Sequence, residues 1–198
     1  ELGELLGWVA GDGWVSEETP QGRTVPNYTI GLMYGDEEKK ILAPRFRTLI
    51  KIWTGLEGSE IERNGTLTQY YKSGLYYFLN SLGVHEADGL KKGVPEALWS
   101  APREAVLGFL SALFTADGTV NISRRVHYGS IRLANSSKKL LQETQLLLLN
   151  EGIVSQLYLR RKAGKKLMPD SARNPKLYSF SDKYELVITC QNRARFLK

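Results

Sequence analysis

Leu2 to Val15 reads LGELLGWVAGDGWV, and Leu107 to Val120 reads LGFLSALFTADGTV. The two stretches align without a gap at a spacing of 105 residues, pairing Gly3 with Gly108, Leu5 with Leu110, Gly7 with Ala112, Gly11 with Ala116, Asp12 with Asp117 and Gly13 with Gly118. Self-similarity at domain-like separation implies two related structural units. Residues four apart share a helix face, so Gly3, Gly7 and Gly11 form one small-residue face, and Gly108, Ala112 and Ala116 form another. A glycine inside a helix costs about 0.5–1 kcal/mol relative to alanine, so three in one helix require a compensating contact. Close packing of the two helices about a pseudo-twofold axis would supply it through dispersion over the smooth faces.

Asp12 and Asp117 fall in the last turn of each helix, and Gly13 and Gly118 after them are expected to end it in the left-handed conformation. Two carboxylates would then meet at the negative ends of two helix dipoles, an arrangement repulsive in two ways. Such a pair predicts a hard divalent cation, Mg²⁺ or a relative, held by oxygen ligands. A single Asp-Gly is commonly just a turn after a helix; two in register, behind the same small-residue face, point to a site.

The segments after each motif also repeat. Alternating runs lie at Tyr28–Tyr34 and Ser130–Asn135, and amphipathic helices at about Asp36–Trp53 and Ser137–Glu151, the latter with Gly152 after it. Two strands come next, at Ser59–Arg63 and Thr66–Lys72 in the first half and at Ile153–Lys162 and Lys183–Cys190 in the second. A helix closes each copy, Gly74–Leu82 and Gln191–Leu197. The expected fold is α+β, two pseudo-symmetric αββαββα repeats with antiparallel sheets, one over residues 1–100 with a connector and one over 101–198. The second carries an insertion, Ala163–Asp182, read as a long basic hairpin loop.

Hydrophobic residues make up 42% and charged residues 24% of the 198, which excludes general disorder. The longest weakly polar stretch, Ala105–Ala116, falls short of the roughly 20 residues that span a bilayer. One cysteine, Cys190, and two histidines, His85 and His127, cannot build a disulfide framework or a Cys/His zinc site, leaving carboxylates, lysines and hydroxyls for chemistry. With no secretory signature at Glu1, the chain reads as intracellular, cytoplasmic or organellar, or as a domain cut from a longer protein. Charge is uneven: residues 1–100 hold 10 Lys/Arg against 14 Asp/Glu, and residues 101–198 hold 17 against 7. The basic half, with Arg124, Arg125 and Arg132 and then Arg160, Arg161, Lys162, Lys165, Lys166, Arg173 and Lys176, suits a polyanion partner.

Leu5–Gly13, LLGWVAGDG, and Leu110–Gly118, LSALFTADG, resemble the two copies of the nine-residue motif of the LAGLIDADG homing endonucleases, and the αββαββα order extends the resemblance over nearly the whole chain. Lys91-Lys92-Gly93-Val94-Pro95 looks like the linker of endonuclease domains inserted in inteins; intron-encoded members are the other source. No splicing-domain signature is present, so an intein origin would make this the endonuclease portion alone. The resemblance implies metal-dependent, staggered cleavage of both strands of a long DNA site. It assigns Asp12 and Asp117 to metal binding and catalysis, the carbonyls of Gly11 and Ala116 to further metal contacts, and Lys92 to a basic residue that assists catalysis. Mg²⁺ or Mn²⁺ would support cleavage, and Ca²⁺ binding without it. Where some members carry glutamine or lysine, this chain has Tyr34 and Asn135.

The resemblance further implies two sheets forming a saddle along the major groove, which admits a β-ribbon. Strand alternation then selects the contacts. With Ile131, Leu133, Leu157 and Leu159 in the core, Ser130, Arg132, Gln156, Tyr158, Arg160 and Lys162 point outward. Thr29, Met33 and Arg63 hold comparable positions in the first half, joined by Tyr70 and Lys72, although the alternation of Thr66–Lys72 fits either face. Lys165, Lys166, Arg173 and Lys176 would grip phosphates. Two unlike repeats in one chain imply a monomer on asymmetric double-stranded DNA, away from any membrane. An RNA-binding intron maturase of the same fold, or a DNA-binding protein without cleavage, are the alternatives.

Overall fold

A computed structural model describes residues 1–22, 24–85, 89–122, 129–169 and 173–197. Arg124, Arg125 and His127 lie outside the described residues. In chain order the elements are α1 (Leu2–Asp12), β1 (Gly13–Glu18), β2 (Asn27–Tyr34), α2 (Glu38–Thr54), β3 (Ser59–Arg63), β4 (Thr66–Lys72) and α3 (Ser73–Ser81). A 3₁₀ turn, Glu96–Ser100, leads into α4 (Arg103–Asp117), β5 (Gly118–Ile122), β6 (Gly129–Asn135), α5 (Lys138–Asn150), β7 (Gln156–Arg161), β8 (Gly164–Pro169), β9 (Pro175–Phe180), β10 (Lys183–Thr189) and α6 (Cys190–Phe196). Each repeat is therefore αββαββα, with β8 and β9 added to the second. Among the described residues no helix is long and apolar enough to cross a membrane.

The chain forms two compact units, Glu1–Asp117 and Gly118–Lys198. By repeat α4 belongs to the second copy; by packing it belongs to the first unit, because it lies along α1. In that unit an antiparallel sheet of order β1-β2-β4-β3 buries Ile30, Leu32, Tyr34 and Tyr71 against α1 and α2, from which Leu5, Trp8, Phe46 and Ile50 meet them. Trp8 stacks on Tyr34 with ring centroids 5.5 Å apart, and its indole N–H donates to the Met33 carbonyl at 3.1 Å. Buried aromatics satisfied at their polar end fix α1 against the sheet while leaving its glycine face for α4. Buried Gln69 joins the same core, accepting from the Tyr34 hydroxyl at 2.9 Å and donating to the Ala43 carbonyl at 2.9 Å.

The second unit repeats the arrangement with the sheet β5-β6-β10-β7. Ile131, Leu133, Leu186 and Ile188 are buried with Leu140, Leu141, Leu147 and Leu148 of α5. Ser137 caps α5, its hydroxyl accepting from the Leu140 amide at 3.2 Å. The chain leaves that helix through Gly152 at φ 73°, a left-handed position that favours glycine. Tyr34 and Asn135, singled out at the strand ends, both serve the fold. Tyr34 is buried on Gln69, and the Asn135 side chain accepts from the Ser137 amide at 2.9 Å.

Two expectations are corrected here. Gly13 is extended, at φ −95° and ψ 156°, and Gly118 is not among the residues with positive φ; both helices pass directly into strands. Glycine is needed at position 13 for space, since a Cβ there would lie 2.5 Å from the Val9 carbonyl oxygen. The Ala163–Asp182 insertion is not a bare loop. Most of it pairs as an antiparallel two-stranded ribbon, β8 with β9.

Candidate active site and nucleic-acid interface

The small-residue face of α1 lies directly on α4. A Cβ built on Gly3 would run into the carbonyl oxygen of Ala105, and one on Gly7 into that of Phe109 and to within 3.0 Å of the Ala112 Cβ. At the last turn a Cβ on Gly11 would stand 2.5 Å from the Cβ of Ala116. Backbones at this separation tolerate no larger residue. The next residue in each helix is Asp12 and Asp117, both half-buried, at the shared end of the helix pair.

The electrostatics follow from that placement. Burial, then the facing Asp117 carboxylate and more weakly Glu38, push the Asp12 carboxyl up to about 6, against a smaller opposing pull from Lys92. Lys92 sits in the connector with its ammonium 2.7 Å from the Gly13 carbonyl oxygen and 3.0 Å from that of Ala10, with those of Val9 and Gly11 at 3.4 and 3.5 Å. It thus engages carbonyls of the last turn of α1 together with the first carbonyl of β1. Burial lowers the Lys92 pKa, while Asp117 and Asp12 hold it up. The donor set is all oxygen, carries two mutually repelling carboxylates and lies at helix C-termini, a chemistry that suits a hard divalent cation. Among the described residues no group of three or more His, Cys, Asp or Glu side chains converges, so any such ion would rely on the carboxylate pair and on backbone or solvent oxygens.

In the first sheet the pairing resolves the ambiguous strand. Gly31 is opposite Tyr70, Thr29 opposite Lys72 and Met33 opposite Thr68, so Tyr70 and Lys72 share the outward face with Thr29, Met33 and Arg63, while Gln69 and Tyr71 face the core. Trp14, which sequence reasoning passed over, is on the same face. It is paired with Gly31, its indole occupies the space a Cβ there would fill, and it meets Tyr70 edge-on at 5.9 Å. The signal was available: a bare glycine in the middle of an alternating strand marks a close approach.

In the second sheet Arg132, Gln156, Tyr158, Arg160 and Lys162 lie outward, the Tyr158 hydroxyl donating to the Gln156 side chain. Two expected placements fail. Ser130 is 7% exposed, its hydroxyl accepting from the Arg132 Nε at 2.9 Å, and Leu159 is 45% exposed rather than core. Leu159 sits near the end of an edge strand, next to the irregularity where the β7–β10 register shifts at Lys183/Tyr184. The sequence reading also missed Glu185, which pairs with Arg132 at 3.2 Å and Arg160 at 2.7 Å. On the ribbon, Lys166 and Lys176 share a face with Tyr178 and Phe180. Lys176 lies over the Tyr178 ring and the Arg161 guanidinium over Phe180. Lys165 projects to the other face, and Lys165, Lys166, Arg173 and Lys176 are all exposed.

Residues 104–198 match the model of the LAGLIDADG-like domain. The chain is 26% identical over 210 residues to the ribonucleoside-diphosphate reductase NrdEB subunit alpha of Bacillus subtilis (strain 168), covering 97% of this chain and 18% of that protein. It is 24% identical over 193 residues to a DNA polymerase of Thermococcus hydrothermalis, covering 93% of this chain and 10% of that one. The chain therefore spans less than a fifth of the length of these relatives. Among solved structures, I-DmoI in complex with DNA and Ca superposes with a TM-score of 0.68 at 18% identity, over 99% of this chain and 86% of that one. Other solved structures to which the chain is similar are I-DmoI in complex with DNA and Mn, and a variant of I-DmoI in complex with its target DNA in the presence of Mg.

Proposed function

We propose, from a chain whose residues 104–198 are a LAGLIDADG-like domain and whose length carries the fold of the LAGLIDADG homing endonucleases, that this protein is a site-specific DNA endonuclease. It makes a metal-dependent, staggered double-strand break at a long asymmetric site and acts as a monomer. The observation that carries this reading is the pair Asp12 and Asp117, both at the end of two helices packed glycine to alanine.

The reaction is hydrolysis of a phosphodiester in each strand. Asp12 and Asp117, with the carbonyl oxygens of Gly11 and Ala116, would hold a divalent cation, which when bound would supply positive charge to lower the pKa of an attacking water and offset charge on the leaving 3′ oxygen. Each aspartate serves one strand, in keeping with the repeat. Lys92 fixes the end of α1 through the Gly13 and Ala10 carbonyls, and its charge opposes the repulsion between the two carboxylates. No covalent nucleophile is required of the protein.

Thr29, Met33, Arg63, Tyr70 and Lys72 in one sheet, and Arg132, Gln156, Tyr158, Arg160 and Lys162 in the other, contact the duplex, with Ser130 supporting Arg132 from beneath. Lys165, Lys166, Arg173 and Lys176 add phosphate contacts that give affinity without sequence. The relatives named above have unrelated chemistry, a reductase and a polymerase, and share with this chain only a minor segment of their length. That pattern supports a mobile segment lodged within host proteins, as an intein-borne endonuclease would be.

Selection of cleaved sequences from a randomised duplex library in Mg²⁺ tests the reading. One asymmetric site cut with 3′ overhangs is expected. Folded protein that leaves every duplex intact while binding structured RNA tightly would replace the reading with a maturase.

A further inference from the structure

Glu185 is an acid in the middle of a face otherwise suited to polyanions. Its side chain is 9% exposed, one carboxylate oxygen 2.7 Å from Arg160 and the other 3.2 Å from Arg132. Arg132 is held a second time, by its Nε donating to Ser130 at 2.9 Å. For a surface meant only to attract phosphates, a central carboxylate is a defect, since it cancels charge that would otherwise release counterions. As a stabilising device it is modest, because the carboxylate is buried while its two arginine partners stay 35% and 60% exposed and remain screened by solvent. What the carboxylate does achieve is orientation. With Nε and one terminal N–H engaged, the Arg132 guanidinium plane is fixed, and its remaining N–H groups are free to donate from a set position.

We propose that Glu185 is a specificity-determining positioning residue, holding Arg132 and Arg160 as preset donors for the O6 and N7 acceptors of guanine in the major groove. The inference rests on the DNA-endonuclease reading and adds to it a base preference and a residue that never touches DNA. Preset arginines lose less freedom on binding the right base pair and cannot swing to accommodate a wrong one.

The test is selection of bound duplexes from a randomised library in Ca²⁺ by wild type, Glu185→Gln and Arg132→Ala. Glu185→Gln is isosteric and lies outside the apolar core, so it should fold, which thermal unfolding verifies. Expected is a loss of about tenfold in guanine preference at one or two adjacent base pairs, as each good bidentate contact implies. Affinity for unrelated duplex should rise, and the salt dependence steepen, because a negative charge has been removed. Arg132→Ala should relax the same positions, and adding Glu185→Gln to a variant lacking both arginines should change base preference no further. A Glu185→Gln protein that selects the same bases as stringently as wild type would overturn the inference and leave the endonuclease reading standing, whatever its stability. A wild type that selects no duplex would overturn both.

Discussion

The Cβ of Ala116 occupies the space that Gly11 leaves empty, 2.5 Å from where a Cβ on Gly11 would stand. Contacts of this kind along α1 explain why a helix keeps three glycines, and they separate two types of close approach. At Gly11 the obstacle is a methyl group, whereas at Gly3 and Gly7 it includes the backbone carbonyls of Ala105 and Phe109.

Gly11→Ala should therefore destabilise the protein by about 1–3 kcal/mol, the usual cost of overpacking, and Gly11→Ala with Ala116→Gly should recover most of it. After that exchange the nearest atoms are the Leu113 side chain at 3.7 Å and the position-116 Cα at 3.9 Å, ordinary contacts. Gly7→Ala should cost at least as much, and the matching truncation, Ala112→Gly, should fail to rescue it. Urea unfolding of the four proteins measures both effects. Equal rescue at the two positions would contradict this account of the interface.

The Asp12 carboxyl is raised from 3.8 to about 6 in the folded protein, chiefly by burial and by Asp117. Between those pH values the folded chain keeps a proton that the unfolded chain releases, so this group's contribution to stability falls as pH rises from about 4 to 6 and is unfavourable above it. Without divalent cation, the melting temperature of Asp12→Asn should therefore gain on that of wild type across this interval. A difference independent of pH would show that Asp12 is not held in this environment. Stabilisation by added Mg²⁺ should follow the opposite course and grow with pH, since the ion needs the ionised carboxylate.

Lys92→Met keeps the buried stem and removes the charge that engages the α1 carbonyls. It should destabilise by about 1–3 kcal/mol through carbonyls left without a partner, and it should raise the Asp12 pKa further, because Lys92 at present pulls it down. Carboxyl chemical shifts followed through a pH titration read the second effect. An unmoved Asp12 titration would separate Lys92 from the site.

The repeat, its helices and three strands of each four-stranded sheet were located in the sequence, because most of these elements follow the period of their structure and the second copy checks the first. Gly13 departs from the expected left-handed stop because α1 runs straight into β1, and the space beside Val9 decides the residue there. The ribbon was invisible because β8 and β9 are paired with each other and largely exposed, so no buried face patterns them. The burial of Ser130 and the role of Glu185 escaped for a different reason. Alternation predicts which way a side chain points, and both point outward, but long arginine side chains fold over them. The aspartate pair was legible as a pair; that Lys92 takes up the helix-end carbonyls depends on a connector whose path no periodicity encodes.

The ribbon lysines offer a charge prediction. Replacing Lys165, Lys166 and Lys176 with glutamine should reduce the salt slope of duplex binding by about 0.9 for each phosphate no longer neutralised and leave the selected sequence unchanged. A changed sequence with an unchanged slope would move these residues from phosphate to base contact.

The central claim is that Asp12 and Asp117 together form a metal-dependent nuclease centre. Its most direct test is incubation of a supercoiled plasmid carrying the selected site with wild type, Asp12→Asn and Asp117→Asn, in Mg²⁺ and in chelator, with duplex binding measured alongside. Wild type should linearise the plasmid only with the metal, and each variant should lose double-strand cleavage while still binding the site. Undiminished linearisation by either folded variant would contradict the claim.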